Sequence, residues 1–290
     1  MRAYKVVDAF SAVPFGGNPV AVVLDAEGLS DARMQAIAAW TNLSETTFLL
    51  PATQAGADYR LRIFTPRSEL PFAGHPTLGS AHAAIEAGRV TPRDGVLVQQ
   101  CAHGLVRIAI DGEGDARRLI LDLPPAVVTP LEAADVDELE AIIGHKVVRS
   151  AAPAIVDVGA VWIVAQLESA EALLALEPDF ARSIRFERRL KATGLSLFGR
   201  HPSGRGADIE VRSFAPSCGV EEDPVCGSGN GSVAVFRARN GLLPAGDAHY
   251  VAAQGRKVGR AGRIDVAVGP DGRVTVGGAC VTCVDGVLRA

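Results

Sequence analysis

Short apolar runs separated by Gly, Pro and polar clusters recur along the chain. They predict strands at 19–24, 45–50, 57–64, 95–100, 105–110, 118–123 and 160–165. Two stretches switch to a helical pattern. Ser30 can cap a helix running to Trp40. Ser169 can cap another to Leu176, which Glu177-Pro178 would stop.

Part of this pattern occurs twice. Arg62-Ile63-Phe64-Thr65-Pro66 precedes Phe72-Ala73-Gly74-His75-Pro76-Thr77-Leu78-Gly79-Ser80-Ala81, and the segment ends at Ala87-Gly88. Arg212-Ser213-Phe214-Ala215-Pro216 precedes Val225-Cys226-Gly227-Ser228-Gly229-Asn230-Gly231-Ser232-Val233-Ala234, and that segment ends at Asn240-Gly241. The same spacing separates Gly74 from Gly88 and Gly227 from Gly241. Each copy reads as a strand, a polar loop, a glycine and a helix of small residues stopped by a C-terminal glycine. In the first copy Pro76 suits the first helical position, and His75 before it is expected to be extended.

Each half therefore runs strand, helix, strands, long helix. The Pro-rich stretch from Leu123-Pro124-Pro125 to Pro130 is the natural linker. The expected domains are 1–125 and 126–290. A short strand pair is expected over 277–288, and the tail 277–290 is open to a return to the first domain. Two similar halves also predict a site in the cleft between them.

Composition narrows the classes. The 290 residues are 48% hydrophobic, and Gly is abundant at 31 residues, which suits a sheet-rich protein. The net charge of −4, with no run of like charge, makes nucleic acid and anionic membranes poor partners. The N-terminus has no apolar run long enough for a signal peptide, and the longest apolar stretch, Ala154 to Leu167, is too short to span a membrane, so a cytoplasmic protein is expected. The five cysteines have no disulfide spacing. Cys280 and Cys283 lie in a strand-like run, where residues three apart face opposite ways, so no metal site is expected there.

The chemistry-bearing candidates cluster in the repeat. A glycine-opened helix leaves backbone N–H groups bare and suits a carboxylate. The Gly227-x-Gly229-x-Gly231 spacing is not a dinucleotide fingerprint, and no strand is expected over Glu221-Glu222-Asp223-Pro224 before it. No nucleotide cofactor is expected. Glu45 stands at the mouth of an apolar strand, where desolvation would raise its pKa towards neutrality and fit it for proton transfer. Asp223 precedes a proline in the second polar loop. Cys226 precedes Gly227 beside a helix start, which can activate a thiol as a base. Its counterpart in the repeat is Ala73.

Four blocks together resemble a known family. They are Val7-Asp8-Ala9-Phe10 with Phe15-Gly16-Gly17-Asn18-Pro19-Val20-Ala21-Val22; Asn42-Leu43-Ser44-Glu45-Thr46; Phe72-Ala73-Gly74-His75-Pro76-Thr77; and Asp223-Pro224-x-Cys226-Gly227-Ser228. In order and spacing they are similar to the signature of the PhzF family of phenazine biosynthesis. The resemblance implies an α+β fold of the diaminopimelate epimerase type: two similar domains, each a mixed sheet wrapped around a central helix. It implies a homodimer and an isomerase without cofactor or metal, acting on a small carboxylate such as trans-2,3-dihydro-3-hydroxyanthranilate. By the same matching Glu45 is the acid/base, and His75 and Asp223 orient it and the substrate. Gly227 and Ser228 hold the carboxylate, and Ser44 and Gly74 adjoin the site. Where many members carry Thr, this chain has Cys226, as in the second catalytic loop of diaminopimelate epimerase. A two-base epimerase or racemase pairing Cys226 with Glu45 is therefore an alternative reading. A non-catalytic protein that binds small acids is another.

Overall fold

The computed structural model describes residues 1–244 and 246–290. In chain order the first elements are β1 (Arg2–Ala9), β2 (Asn18–Val23), α1 (Asp31–Thr41), β3 (Glu45–Leu50), β4 (Tyr59–Phe64), β5 (Glu69–Leu70), α2 (Gly74–Glu86), β6 (Val96–Cys101), β7 (Gly104–Asp111) and β8 (Arg118–Asp122). Next come β9 (Val127–Pro130), α3 (Ala133–Ile143), β10 (Ala154–Asp157), β11 (Val161–Gln166), α4 (Ala170–Leu174), α5 (Phe180–Leu190), β12 (Gly194–Arg200) and β13 (Ile209–Ala215). The remainder is β14 (Val220–Asp223), α6 (Gly227–Arg239), β15 (Ala248–Gln254), β16 (Gly262–Val268), β17 (Val274–Gly278) and β18 (Cys280–Leu288).

These elements form two compact units, Met1–Leu121 with Gly277–Ala290, and Asp122–Val276. The boundary thus precedes the proline pair instead of following it. Leu123 accounts for the shift. Its N–H donates to the Val274 carbonyl over 2.9 Å, and its side chain fills the space a Cβ at Gly231 would need. The tail belongs with the first unit, because β18 runs antiparallel to β1 from Arg2 opposite Leu288 to Ala9 opposite Cys280. Nine residues long, β18 exceeds the short strand expected there. Buried Lys5 on β1 reinforces the join, bridging Asp285 of β18 at 2.6 Å and Glu86 of α2 at 2.9 Å.

The repeat in the sequence is a repeat in the pairing. In the first unit β1–β2 is antiparallel, β2–β3 parallel, β3–β4 antiparallel, β4–β6 parallel and β6–β7 antiparallel. In the second, β10–β11, β11–β12, β12–β13, β13–β15 and β15–β16 follow the same alternation. Each parallel step is crossed by helix, as a parallel connection requires. The second crossover of each unit is the small-residue helix, α2 or α6, thirteen residues long and buried along most of its length. Small residues allow that burial. A Cβ at Gly79 of α2 would run into Val20 of β2.

Ser30 and Ser169 cap α1 and α4 as expected, accepting from the N–H groups of Arg33 and Ala172. Other expectations shift. Helix α4 ends at Leu174 rather than Leu176, and α5 begins at Phe180 under its own cap, Asp179. Pro76 is the third residue of α2, and His75 is helical rather than extended. A proline is tolerated there because first-turn N–H groups have no intrahelical acceptor. Residues 220–223 form the strand β14, not a loop.

Gly194, at the start of β12, shows how tightly the second unit packs. A Cβ there would run into the carbonyl oxygen of Phe214 on β13. Gly194→Ala is expected to destabilise the protein by about 1–3 kcal/mol, the usual cost of overpacking. A lowered urea midpoint would show it.

Candidate active site

Glu45 opens β3 and is placed by the parallel register, which sets it opposite Val20 of β2. The strand behind it, Thr46 to Leu49, is buried. Its carboxylate is enclosed: the side chain is 14% exposed. Desolvation pushes its pKa up from 4.5 to about 7, and a hydrogen bond with the Ser44 side chain offsets part of the rise. Ser44 therefore does adjoin Glu45.

His75, the second residue of α2, is buried, and its Nε2 lies 3.2 Å from Glu45 Oε2. On the ring's other side Nδ1 is 3.4 Å from Asn18 Nδ2, at the start of β2. Three elements, β2, β3 and α2, thus bring Asn18, His75 and Glu45 into line. Asn18 is held by a tight approach. A Cβ at Gly17 would run into the Ala9 carbonyl oxygen, and the Gly17 N–H donates to Asp8 Oδ2 over 3.0 Å. Gly74, by contrast, has no φ in the left-handed region, and an added Cβ would meet nothing within 4 Å. The packing around it does not require glycine, which leaves room at this helix start for a ligand.

In the second unit Asp223 closes β14, and its Oδ1 accepts from the Val225 N–H over 3.0 Å. Cys226 is the N-cap of α6, its sulfur accepting from the Gly229 N–H at 3.3 Å. Burial, followed by the nearby Asp223 charge, pushes its thiol pKa well above the usual range. A buried, capping thiol held in its protonated form is poorly suited to act as a base. With Gly229 N–H taken by sulfur and Asn230 N–H by the Cys226 carbonyl, the Gly227 and Ser228 N–H groups are the two left without an intrahelical acceptor. Gly229 and Gly231 serve packing: a Cβ at the first would crowd Ser213 and Ser196, and at the second Leu123.

Two residues at this helix start have no signal in the sequence. Gln254 Oε1 accepts from the Cys226 N–H at 3.1 Å and from Asn230 Nδ2 at 2.7 Å, while its Nε2 donates to the Asp223 carbonyl at 2.9 Å. Trp162 Nε1 donates to Ser228 Oγ at 3.0 Å. Both partners are distant in the chain, and only the fold joins them. Within the repeat, His75 and Ser228 hold the same position, second in the helix, and Ala73 and Cys226 are the matching caps. Among the described residues there is no cluster of three or more His, Cys, Asp or Glu side chains able to hold a metal ion. None of the described helices is long and apolar enough to cross a membrane.

The family described as "Phenazine biosynthesis-like protein", PhzC-PhzF, matches residues 7–286. The chain belongs to the PhzF family. It is an isomerase, as several of its relatives are named. It is 41% identical to antisense-enhancing sequence 1 of Schizosaccharomyces pombe over 98% of both chains. It is 37% identical to trans-2,3-dihydro-3-hydroxyanthranilate isomerase of Pseudomonas aeruginosa, over 91% of this chain and 89% of that one. In fold it is similar to a PhzF family protein of Bacillus anthracis, with a TM-score of 0.89 over 99% of each chain at 22% identity. The PhzF fold is the diaminopimelate epimerase type expected from the sequence, each unit a mixed sheet around a buried helix.

Proposed function

We propose that this PhzF isomerase shifts a proton on a small carboxylate substrate with Glu45 as the single acid/base. The observation that carries the reading is the enclosed Glu45 carboxylate, with a pKa raised to about 7, beside His75 at 3.2 Å. A group with that pKa can both take and return a proton near neutrality. As carboxylate, Glu45 removes a proton from one carbon, and the electron pair released enters the adjacent conjugated system. Glu45, now protonated, returns the proton to another carbon. Atoms and electrons balance without a redox partner.

His75 orients the carboxylate, and Asp223 orients the substrate. The N–H groups of Gly227 and Ser228, with the Ser228 hydroxyl, take the substrate carboxylate at the positive end of α6. Gly74 gives the substrate room. The 37% identity to the Pseudomonas isomerase supports a substrate of the dihydro-3-hydroxyanthranilate class. The high-lying thiol of Cys226 weighs against the two-base epimerase.

The test is incubation in D2O with trans-2,3-dihydro-3-hydroxyanthranilate and a panel of small amino and hydroxy acids, followed by mass spectrometry. Isomerised product is expected from the wild type and not from Glu45→Gln, with deuterium in it to the extent that the Glu45 proton exchanges with solvent before its return. Undiminished product formation by that variant would remove Glu45 from the mechanism.

A further inference from the structure

Ser228 is assigned above to the substrate carboxylate, and what lies behind it decides what it can do there. Trp162, on β11, is 3% exposed, and its Nε1 is 3.0 Å from Ser228 Oγ. Its backbone is fixed by the parallel register opposite Gly194, the residue that packs against Phe214. An indole nitrogen can only donate, whereas a serine hydroxyl can donate or accept. The Trp162 bond fills one of the two lone pairs of the Ser228 oxygen, so its hydrogen must point elsewhere. Cys226 Sγ lies 3.6 Å from the same oxygen, and its thiol, held protonated by burial, can donate weakly into the second lone pair, which leaves the Ser228 hydrogen for a ligand.

The bare backbone groups at the helix start are the N–H groups of Gly227 and Ser228, which are also donors. Among the groups assigned to the substrate carboxylate, only the Ser228 hydroxyl could change roles. We infer that Trp162 is a specificity-determining positioning residue that locks Ser228 as a donor, so that the start of α6 takes a carboxylate and rejects a neutral carboxamide of the same shape. A carboxylate supplies acceptors to every donor. A carboxamide must turn an N–H toward one of them, leaving a partly buried donor unpaired, which is the more costly arrangement. This inference rests on the reading of Ser228 as a carboxylate ligand.

Anthranilate and 2-aminobenzamide are suitable probes, alike in shape and differing at this group. Titration calorimetry is expected to show the wild type favouring anthranilate. In Trp162→Phe, which keeps an aromatic ring and removes the donor, that preference should shrink about tenfold, through weaker anthranilate and stronger amide binding. With a turned-over carboxylate the loss should appear in KM, with kcat little changed.

Should Ser228→Ala leave anthranilate affinity unchanged, the assignment of Ser228 itself fails. Weaker binding in Ser228→Ala, with preference intact in Trp162→Phe, overturns the role of Trp162 alone. Equal affinity of the wild type for the two probes also overturns it. If Trp162→Phe does not fold, the indole N–H resonances decide the matter in the wild type and Ser228→Ala. The chain has two tryptophans, and Trp40, 76% exposed, is the reference. The Trp162 signal should move in Ser228→Ala while that of Trp40 stays. An unmoved Trp162 signal means no such bond exists.

Discussion

Glu45→Gln is expected to lose about a hundredfold or more in kcat while binding substrate or product nearly as well, because the amide keeps the shape but cannot shuttle a proton. Glu45→Asp should also lose rate, since withdrawing the carboxylate by one methylene disturbs a geometry that tolerates little error. For the wild type, kcat/KM should rise with pH through about 7, as Glu45 deprotonates, and the glutamine variant should lack that limb.

Stability should move the other way. Glu45 has a folded pKa of about 7 against 4.5 as its ordinary value. The folded state therefore holds this proton more tightly than the unfolded chain. That stabilisation is complete below about pH 4.5, declines as pH rises, and is gone above about 7. The difference is worth roughly 3 kcal/mol at most. His75 and Ser44, the groups facing the carboxylate, would temper it. Glutamine does not titrate, so the variant should gain on the wild type between pH 5 and pH 8 in urea midpoint. A variant that melts early while its folded fraction keeps full activity would make Glu45 a structural residue and move the chemistry towards Cys226.

How far the sequence carries depends on whether a feature is local. The caps Ser30 and Ser169, the strand Glu45–Leu50 and the two glycine-opened helices are set by neighbours in the chain, and they stand close to where the pattern puts them. The repeat was readable because it needs only self-comparison.

Helix α3 is legible too: Val136, Leu139, Ile142 and Ile143, with Glu140, are its buried residues, and Gly144 ends it in the left-handed region. Helix α5 is harder, because its buried residues include Ser183 and Glu187, and its periodicity is carried mainly by Phe186. His75 defied a local rule, since burial of α2 outweighs the bias against helix before proline. The tail's return to β1, the Trp162–Ser228 bond and the Gln254 clamp depend on tertiary closure. No local pattern encodes partners 66 positions apart, as Trp162 and Ser228 are. Glu45 illustrates the middle ground: its place at the strand mouth was legible, but its enclosure comes from the packing around it.

Arg212 should give the largest loss of stability. The repeat places an arginine before the phenylalanine in each unit, and both arginines fork onto a carboxylate of the following hairpin. Arg62 Nε and Nη2 each lie 2.7 Å from Glu69, with the guanidinium 5.1 Å from the Phe64 ring. Arg212 Nε and Nη2 lie 3.0 and 2.7 Å from Glu222, with the guanidinium 4.8 Å from the Phe214 ring. Burial separates the two. The Arg212 and Glu222 side chains are 5% and 8% exposed, whereas Glu69 is 37% exposed. Arg212 also donates from Nη1 to the carbonyls of Leu173 and Leu176, at 3.1 and 2.7 Å.

Arg212→Met would strand a buried carboxylate and two carbonyls, at a cost of about 3–5 kcal/mol. Arg62→Met should cost about 1 kcal/mol or less, because Glu69 can turn to water. Replacing both partners, Arg212→Met with Glu222→Leu, should recover much of the larger loss, since no unpaired charge then remains. Urea titration of the four proteins measures this, and equal costs for the two arginines would refute the burial argument. Glu222 immediately precedes Asp223, so the recovered double variant also separates stability from positioning. If the clamp holds Asp223 for the substrate, that protein should regain its midpoint and still show a raised KM.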